Sequence, residues 1–195
     1  RAHGYGVTDF SYLVAHATGT RTNSKSDLTT AANARKLAAE RQGFRGRLPQ
    51  MLVGTPKAVG DGHSMGETGL KGTAQALQYV LGDYAVAVPT LRTPDPELGP
   101  AAELFTLQRD PIRSDGVAGA LCATQGFGGY NGAIALRSAT ADALARYQVD
   151  AKVLAAYLER WPEIRKEREA RERLWRRTRR AAIQLAEQHR WPGED

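Results

Sequence analysis

Two short apolar runs, Tyr12-Leu13-Val14-Ala15 and Met51-Leu52-Val53, each break off into a loop and are each followed by a helical pattern. No other feature constrains the fold as much. An apolar run without polar alternation is what a buried strand looks like. Ser26 or Asp27 is placed to cap a first helix running through about Glu40, with Leu28, Ala31, Ala32, Arg35, Leu37 and Ala38 favouring helix and Gly43 ending it. A second helix is expected from about Met65 to Leu81, with Leu70, Ala74, Leu77 and Val80/Leu81 on one face. Residues 84–88 read as a further strand and residues 89–100 as a proline-rich loop. Residues 117–124 and 131–137 flank a glycine loop, as two antiparallel strands would. The order βαβα followed by strands predicts the α/β class, a mixed sheet covered by helices.

The charge is unevenly spread. Residues 160–180 hold ten basic side chains against four acidic ones, while the rest of the chain carries seventeen of each sign. The net charge of +6 therefore belongs to a basic tail on a neutral body. Trp161-Pro162-Glu163 offers a helix start, with proline at the first helical position and an acid in the first turn. Interleaved Arg and Glu supply i,i+3 and i,i+4 pairs along that helix, so it reads as a solvated element. Sparse aromatics and the lack of a nucleic-acid motif argue against a nucleic-acid tail. No apolar run approaches the roughly 18 residues that a membrane span needs. The start, Arg1-Ala2-His3-Gly4, reads as a chain cut open rather than a natural terminus. A single cysteine, Cys122, excludes an internal disulfide framework and a Cys-rich zinc site, and fits a reducing cytoplasm.

Three segments hold chemistry-bearing residues. The first is Ala15-His16-Ala17-Thr18-Gly19-Thr20-Arg21-Thr22-Asn23-Ser24-Lys25, directly after an expected strand. The second runs from Gly54 through Lys57 and His63 to Gly69, a strand end leading into a helix. The third is the loop Gly126-Phe127-Gly128-Gly129-Tyr130-Asn131. Gly60, Gly62 and Gly66 have the wrong spacing for a dinucleotide fingerprint, and Gly54–Gly60 lacks the Lys-Ser/Thr ending of a P-loop. Two histidines without a third ligand do not make a zinc site, so no metal is expected. Cys122, in an expected buried strand without a neighbouring base, reads as an inert core thiol.

Taken in order, the three segments resemble the β-ketoacyl-acyl carrier protein synthases. The family pattern is H-G-T-[GS]-T, then K-x-x-x-G-H-x-x-G-A-A-G, then G-F-G-G-x-N, and the likeness covers residues 8–138 with fitting spacing. The resemblance implies the thiolase-like fold, built from two similar αβ halves. This chain would supply most of the C-terminal half over residues 1–140, with a basic C-terminal helical extension over residues 141–195. The family's nucleophilic cysteine lies in the N-terminal half, and so is expected outside this chain.

Carried over residue by residue, His16 and His63 are similar to the two catalytic histidines, and Lys57 to the lysine near the second. Thr18 and Thr20 match the threonines that contact pantetheine. Phe127 matches the aromatic gate, with Gly128 and Gly129 beside it. The implied reaction is the decarboxylative Claisen condensation of malonyl-acyl carrier protein with an enzyme-bound acyl group, in fatty-acid or polyketide biosynthesis. No cofactor is implied beyond the phosphopantetheine of the carrier protein. The implied partners are that carrier protein, the N-terminal half and, once complete, a second copy; nucleic acid and membrane are not among them, and the cytoplasm is the expected location. His16 and His63 should then lie close together at the ends of neighbouring elements, facing one cavity.

The chain departs from the pattern at several positions. Ala17 replaces the first glycine of the histidine-threonine motif, and Arg21 the usual proline. Ser24 stands for Asp, Asp27 for Glu, and Glu67-Thr68 for the Ala-Ala pair; Lys57 precedes His63 by six residues where the family has five. Two other activities remain open. A non-catalytic partner of the chain-length-factor type would lack the cysteine. A thiolase-type enzyme would carry a C-x-G loop where this chain has Phe127.

Overall fold

The structure, a computed structural model, describes residues 6–58, 62–82, 84–114, 119–126, 130–138 and 150–188. The chain divides into two compact units, Arg1–Tyr147 and Gln148–Asp195. In the first unit five strands form one sheet: β1 (Phe10–Val14), β2 (Met51–Gly54), β4 (Phe105–Thr106), β6 (Gly119–Gln125) and β7 (Asn131–Leu136), in the order β4-β2-β1-β6-β7. β1 is central and runs parallel to β2 and β6; β2 is parallel to β4, and only β7 is antiparallel to its neighbour. β3 (Tyr84–Ala85) and β5 (Ile112–Arg113) make a separate antiparallel pair. Two helices serve as crossovers, α1 (Arg21–Arg41) and α2 (Thr68–Val80).

The strands β1 and β2 are buried on both faces, as the unalternated apolar runs require, while the edge strand β7 is exposed. One core gathers Phe10, Leu13, Ala15, Met51, Val53 and Phe105 with Leu28 and Ala32 of α1. The other gathers Tyr12, Val14, Leu52, Ala120 and Cys122 with Ala76, Tyr79 and Val80 of α2. Side chains of β1 therefore alternate between the two layers, apart from a register shift between Phe10 and Tyr12.

Several boundaries differ from the sequence reading for identifiable reasons. α1 starts at Arg21 with Thr20 as its N-cap, not at Ser26 or Asp27. Asp27 cannot cap because its carboxylate is turned inward to the backbone of Ala17. The buried stripe of α1 is Leu28, Ala32, Arg35 and Ala39, while Leu37 is exposed. Arg35 is buried because its guanidinium donates to the carbonyls of Leu104 (3.0 Å) and Pro49 (2.7 Å).

α2 presents the opposite face from the one its leucines suggest. Leu70 is 75% exposed, and Leu77 and Leu81 also face outward. Gly72 and Ala76 sit against the sheet instead; a Cβ at Gly72 would come within 2.8 Å of Cys122 Sγ. Small residues let the helix approach closely at Gly72 and Ala76, Tyr79 and Val80 fill the core beyond them, and the leucines point away. A 3₁₀ helix, Met65–Glu67, leads into α2. The stretch expected as a proline-rich loop contains a second one, Pro96–Leu104, capped by the Asp95 carboxylate. β3 covers two of the five residues expected in that strand.

The second unit is one long helix, α3 (Ala151–Gln188). It begins ten residues before the expected start at Trp161, because Asp150 caps it by accepting from the N–H groups of Lys152 (2.8 Å) and Val153 (3.2 Å). Pro162 lies inside it, at a cost of about 3 kcal/mol that the Ala, Leu, Glu and Arg on both sides offset through helix propensity. Arg165–Glu169 at 3.3 Å and two longer i,i+4 contacts, Arg171–Glu167 and Arg173–Glu169, line its exposed surface. Such pairs contribute about 0–1 kcal/mol each. Among the described residues no helix is long and apolar enough to cross a membrane. The expected stop at Trp191-Pro192-Gly193 lies outside the described residues.

Candidate active site

The connection after β1 runs through α1 on one face of the sheet, and the one after β2 through α2 on the other. Where neighbouring parallel strands send their connections to opposite faces, a crevice opens beyond their carboxyl ends. Val14 and Gly54 are paired at those ends, and the ladder continues one step further through Ala15 N–H to the Gly54 carbonyl (2.9 Å). His16 follows immediately on one side, and Thr55, Pro56 and Lys57 on the other. β6 is parallel to β1 with Val14 opposite Cys122, so its end at Gln125 reaches the same edge of the sheet. The described residues of the first two segments thus meet at one end of the sheet, and the strand that leads into the third ends there as well.

The histidine rings of the first two segments are neighbours, with centroids 5.5 Å apart and planes at 89°. His16 is 7% exposed, whereas His63 is exposed. The pair is therefore close, as expected, but only His16 is enclosed. His16 helps to line a cavity of about 460 Å³ on the α1 side, walled mainly by apolar residues such as Phe10, Leu13 and Leu121.

Lys57 sits in a short 3₁₀ helix, Pro56–Ala58, against His16. Its ammonium donates to the His16 carbonyl and lies 3.4 Å from His16 Nδ1. An ammonium has only protons to offer, so Nδ1 accepts and the His16 proton resides on Nε2. Burial, then the charge of Lys57 and the proximity of His63, push the His16 pKa below its usual value, which keeps the ring neutral at pH 7. Lys57 is itself lowered by burial, against the opposing pull of Asp27 and Cys122.

The loop bearing His16 is held from below. Ala17 has φ +36, a left-handed conformation that costs an alanine about 1–2 kcal/mol and a glycine little. Its N–H donates to Asp27 Oδ2 at 2.6 Å, which fixes the turn. Asn23 Nδ2 donates to Thr18 Oγ1 (2.7 Å), and the Thr18 and Thr20 hydroxyls are 3.4 Å apart, with Thr20 exposed. Across the crevice, His63 Nδ1 lies 3.2 Å from Thr68 Oγ1 at the start of α2. Cys122 is buried, and burial pushes its thiol above the usual cysteine value despite the opposing influence of Thr73 and the nearby Lys57. Phe127, Gly128 and Gly129 lie outside the described residues; beside them, Gly126 N–H donates to the Tyr130 carbonyl (2.7 Å).

Two solved structures share this architecture. The oxazolomycin ketosynthase domain OzmH KS7 of Streptomyces albus JA3453 aligns with a TM-score of 0.59 at 26% identity, over 70% of this chain. The chain has a ketosynthase-type, thiolase-like fold. The ketosynthase from module 1 of the bacillaene synthase of Bacillus amyloliquefaciens FZB42 shares the fold, with a TM-score of 0.59 at 18% identity over 71% of the chain. The chain spans 23% and 25% of the lengths of these ketosynthase structures. No family model and no curated protein matches the sequence.

Sequence reasoning singled out His16, His63 and Lys57, which the structure brings to one crevice, but missed two supporting contacts. Asp27 reads from the sequence as a helix cap and a shortened acid, and Thr68 only as a polar residue in place of alanine.

Asp27 yields a pH prediction. Burial, the largest influence, raises its pKa above 3.8, while the Ala17 N–H and Lys57 pull it down. The folded state thus binds this proton more tightly than the unfolded state. Its contribution to stability is full below pH 3.8 and is lost as pH rises through the raised folded value. Asp27→Asn keeps an acceptor for Ala17 and removes the titration. The stability of the native chain relative to Asp27→Asn should fall as pH rises through that window, then level off. Denaturation midpoints across the range check it; a relative stability that rises with pH would show that Lys57 outweighs burial.

Proposed function

We propose that this chain supplies the two-histidine half of a β-ketoacyl-acyl carrier protein synthase, which condenses a malonyl thioester with an enzyme-bound acyl group. The observation behind this reading is the pair of adjacent imidazoles beyond the carboxyl ends of β1 and β2 in a ketosynthase-type fold. Loss of CO₂ from a malonyl thioester moves an electron pair onto the thioester oxygen as an enolate. Neutral imidazole N–H donors aimed at that oxygen stabilise it as an oxyanion hole does. His16, neutral and with its proton on Nε2, is suited to the task.

The enolate carbon then attacks the acyl carbonyl held on a cysteine. A C–C bond forms, the acyl C–S bond breaks, and the cysteine leaves as thiolate while the lengthened β-ketoacyl group stays on the carrier. Lys57 keeps His16 in its donor tautomer, Thr18 and Thr20 would meet pantetheine, and Phe127, Gly128 and Gly129 would border the acyl group. The nucleophilic cysteine comes from the N-terminal half of the enzyme. The outward apolar face of α2, Leu70, Leu77 and Leu81, supports a second layer packing there. A homodimer of the completed enzyme belongs to the same reading. Carrier proteins are acidic, and the surplus of basic residues along α3 suits electrostatic steering of such a partner.

Cys122 tests the division of labour. Exposed to a reactive acyl thioester, this chain should show no acyl adduct by mass spectrometry, because its only thiol is buried and held protonated. Stoichiometric acylation of Cys122 would overturn the reading, since the nucleophile would then lie in this half.

A further inference from the structure

Thr68 is 5% exposed, at the first residue of α2, in a position where the matched motif has alanine. A buried hydroxyl without a partner costs about 1–3 kcal/mol, so its hydrogen bonds are worth tracing. Among the described residues the partner of Oγ1 is His63 Nδ1, at 3.2 Å. The contact could run in either direction, and one observation decides it. The hydroxyl proton needs an acceptor, and Nδ1 is the one in reach; an Nδ1–H would leave that proton without one. Across the crevice, the Lys57 ammonium already requires His16 to accept at Nδ1.

We propose that Thr68 is a positioning residue: its hydroxyl donates to Nδ1 of His63, so that His63, like His16, presents Nε2–H as its donor. Two donors from different elements, Lys57 after β2 and Thr68 at the start of α2, set the same tautomer on both rings. The inference deepens the two-histidine reading and rests on it for its purpose, because two rings can serve one enolate oxygen only if each offers a proton. Without Thr68 the exposed His63 ring would be free to turn and to exchange tautomers. Alanine cannot hold it, so this chain fixes by side chain what the motif must fix otherwise.

The test is the ¹⁵N tautomer pattern of the histidine side chains in this chain, recorded well above the ordinary imidazole pKa of about 6.5. In the native chain both His16 and His63 should show protonated Nε2 and bare Nδ1. Thr68→Val keeps the branched shape but loses the donor, and should convert His63 to a mixed pattern while His16 keeps its own. Thr68→Ser should restore the single pattern at His63. Protonated Nδ1 at His63 in the native chain would overturn the proposal, and so would an unchanged His63 pattern in Thr68→Val. The native spectrum decides even if the valine variant fails to fold. The pattern is read without turnover, so failure here leaves the condensation reading standing, and failure of that reading in an activity assay leaves the tautomer result intact.

Discussion

Gly54→Ala is expected to destabilise the first unit by about 3–5 kcal/mol, enough to remove a third or more of a typical domain's stability. Gly54 ends β2, where the backbone of residue 86 passes close by. A Cβ there would collide with the Val86 carbonyl and with the Tyr12 hydroxyl. Neither can retreat. The carbonyl is backbone, and Tyr12 is 0% exposed with its hydroxyl donating to that same carbonyl at 2.7 Å. Burial pushes the Tyr12 pKa far up, so the phenol remains a donor at any working pH. Making room for one methyl group therefore breaks a buried hydrogen bond and strains the β1–β2 pairing that aligns His16 with Lys57. Gly66→Ala is the matched control: nothing lies within 4 Å of its Cβ and its φ is not left-handed, so its change should stay within about 0.5 kcal/mol. Denaturant midpoints for the two variants check the contrast. Equal midpoints would mean that residue 86 does not lie over Gly54.

The βαβα order was legible because strands buried on both faces leave unbroken apolar runs, and the final hairpin because a glycine loop separates its two strands; together they set the topology that brings His16, Lys57 and Gln125 to one edge. What escaped was decided by contacts distant in sequence. Asp27 has the composition of a cap, yet Ala17, ten residues earlier, claims its carboxylate. The leucines of α2 suggest an inward face, but Gly72 and Ala76 pack closer to Cys122 and turn the leucines out. Pro162 has the look of a helix start, yet Asp150 had already begun α3. In the site, residue types announced the two histidines and the lysine, while the tautomer of each ring depends on which neighbour touches Nδ1. No spacing rule encodes that.

Removing either histidine is expected to be the most damaging change to the chemistry. A donor lost from an oxyanion hole costs about 3–4 kcal/mol, or 10²–10³ in rate. His63 is the cleaner site, because it is exposed and His63→Ala leaves both cores untouched. His16 is buried beside Lys57 and Asp27, so His16→Gln, which keeps bulk and a hydrogen-bonding end, is preferable to alanine there. On the proposed reading the two losses should not add, since both rings would act on one oxygen. Because His16 is held neutral, activity that depends on its N–H should not need a protonated imidazole and should persist as pH rises from 6.5. The most direct measurement is CO₂ release from a malonyl thioester by the complete enzyme that contains this chain, compared with His63→Ala and His16→Gln at matched stability. A fall of 10²–10³ in each variant, with the double variant little worse than either, is the predicted result; CO₂ release at the native rate in both single variants would contradict the assignment.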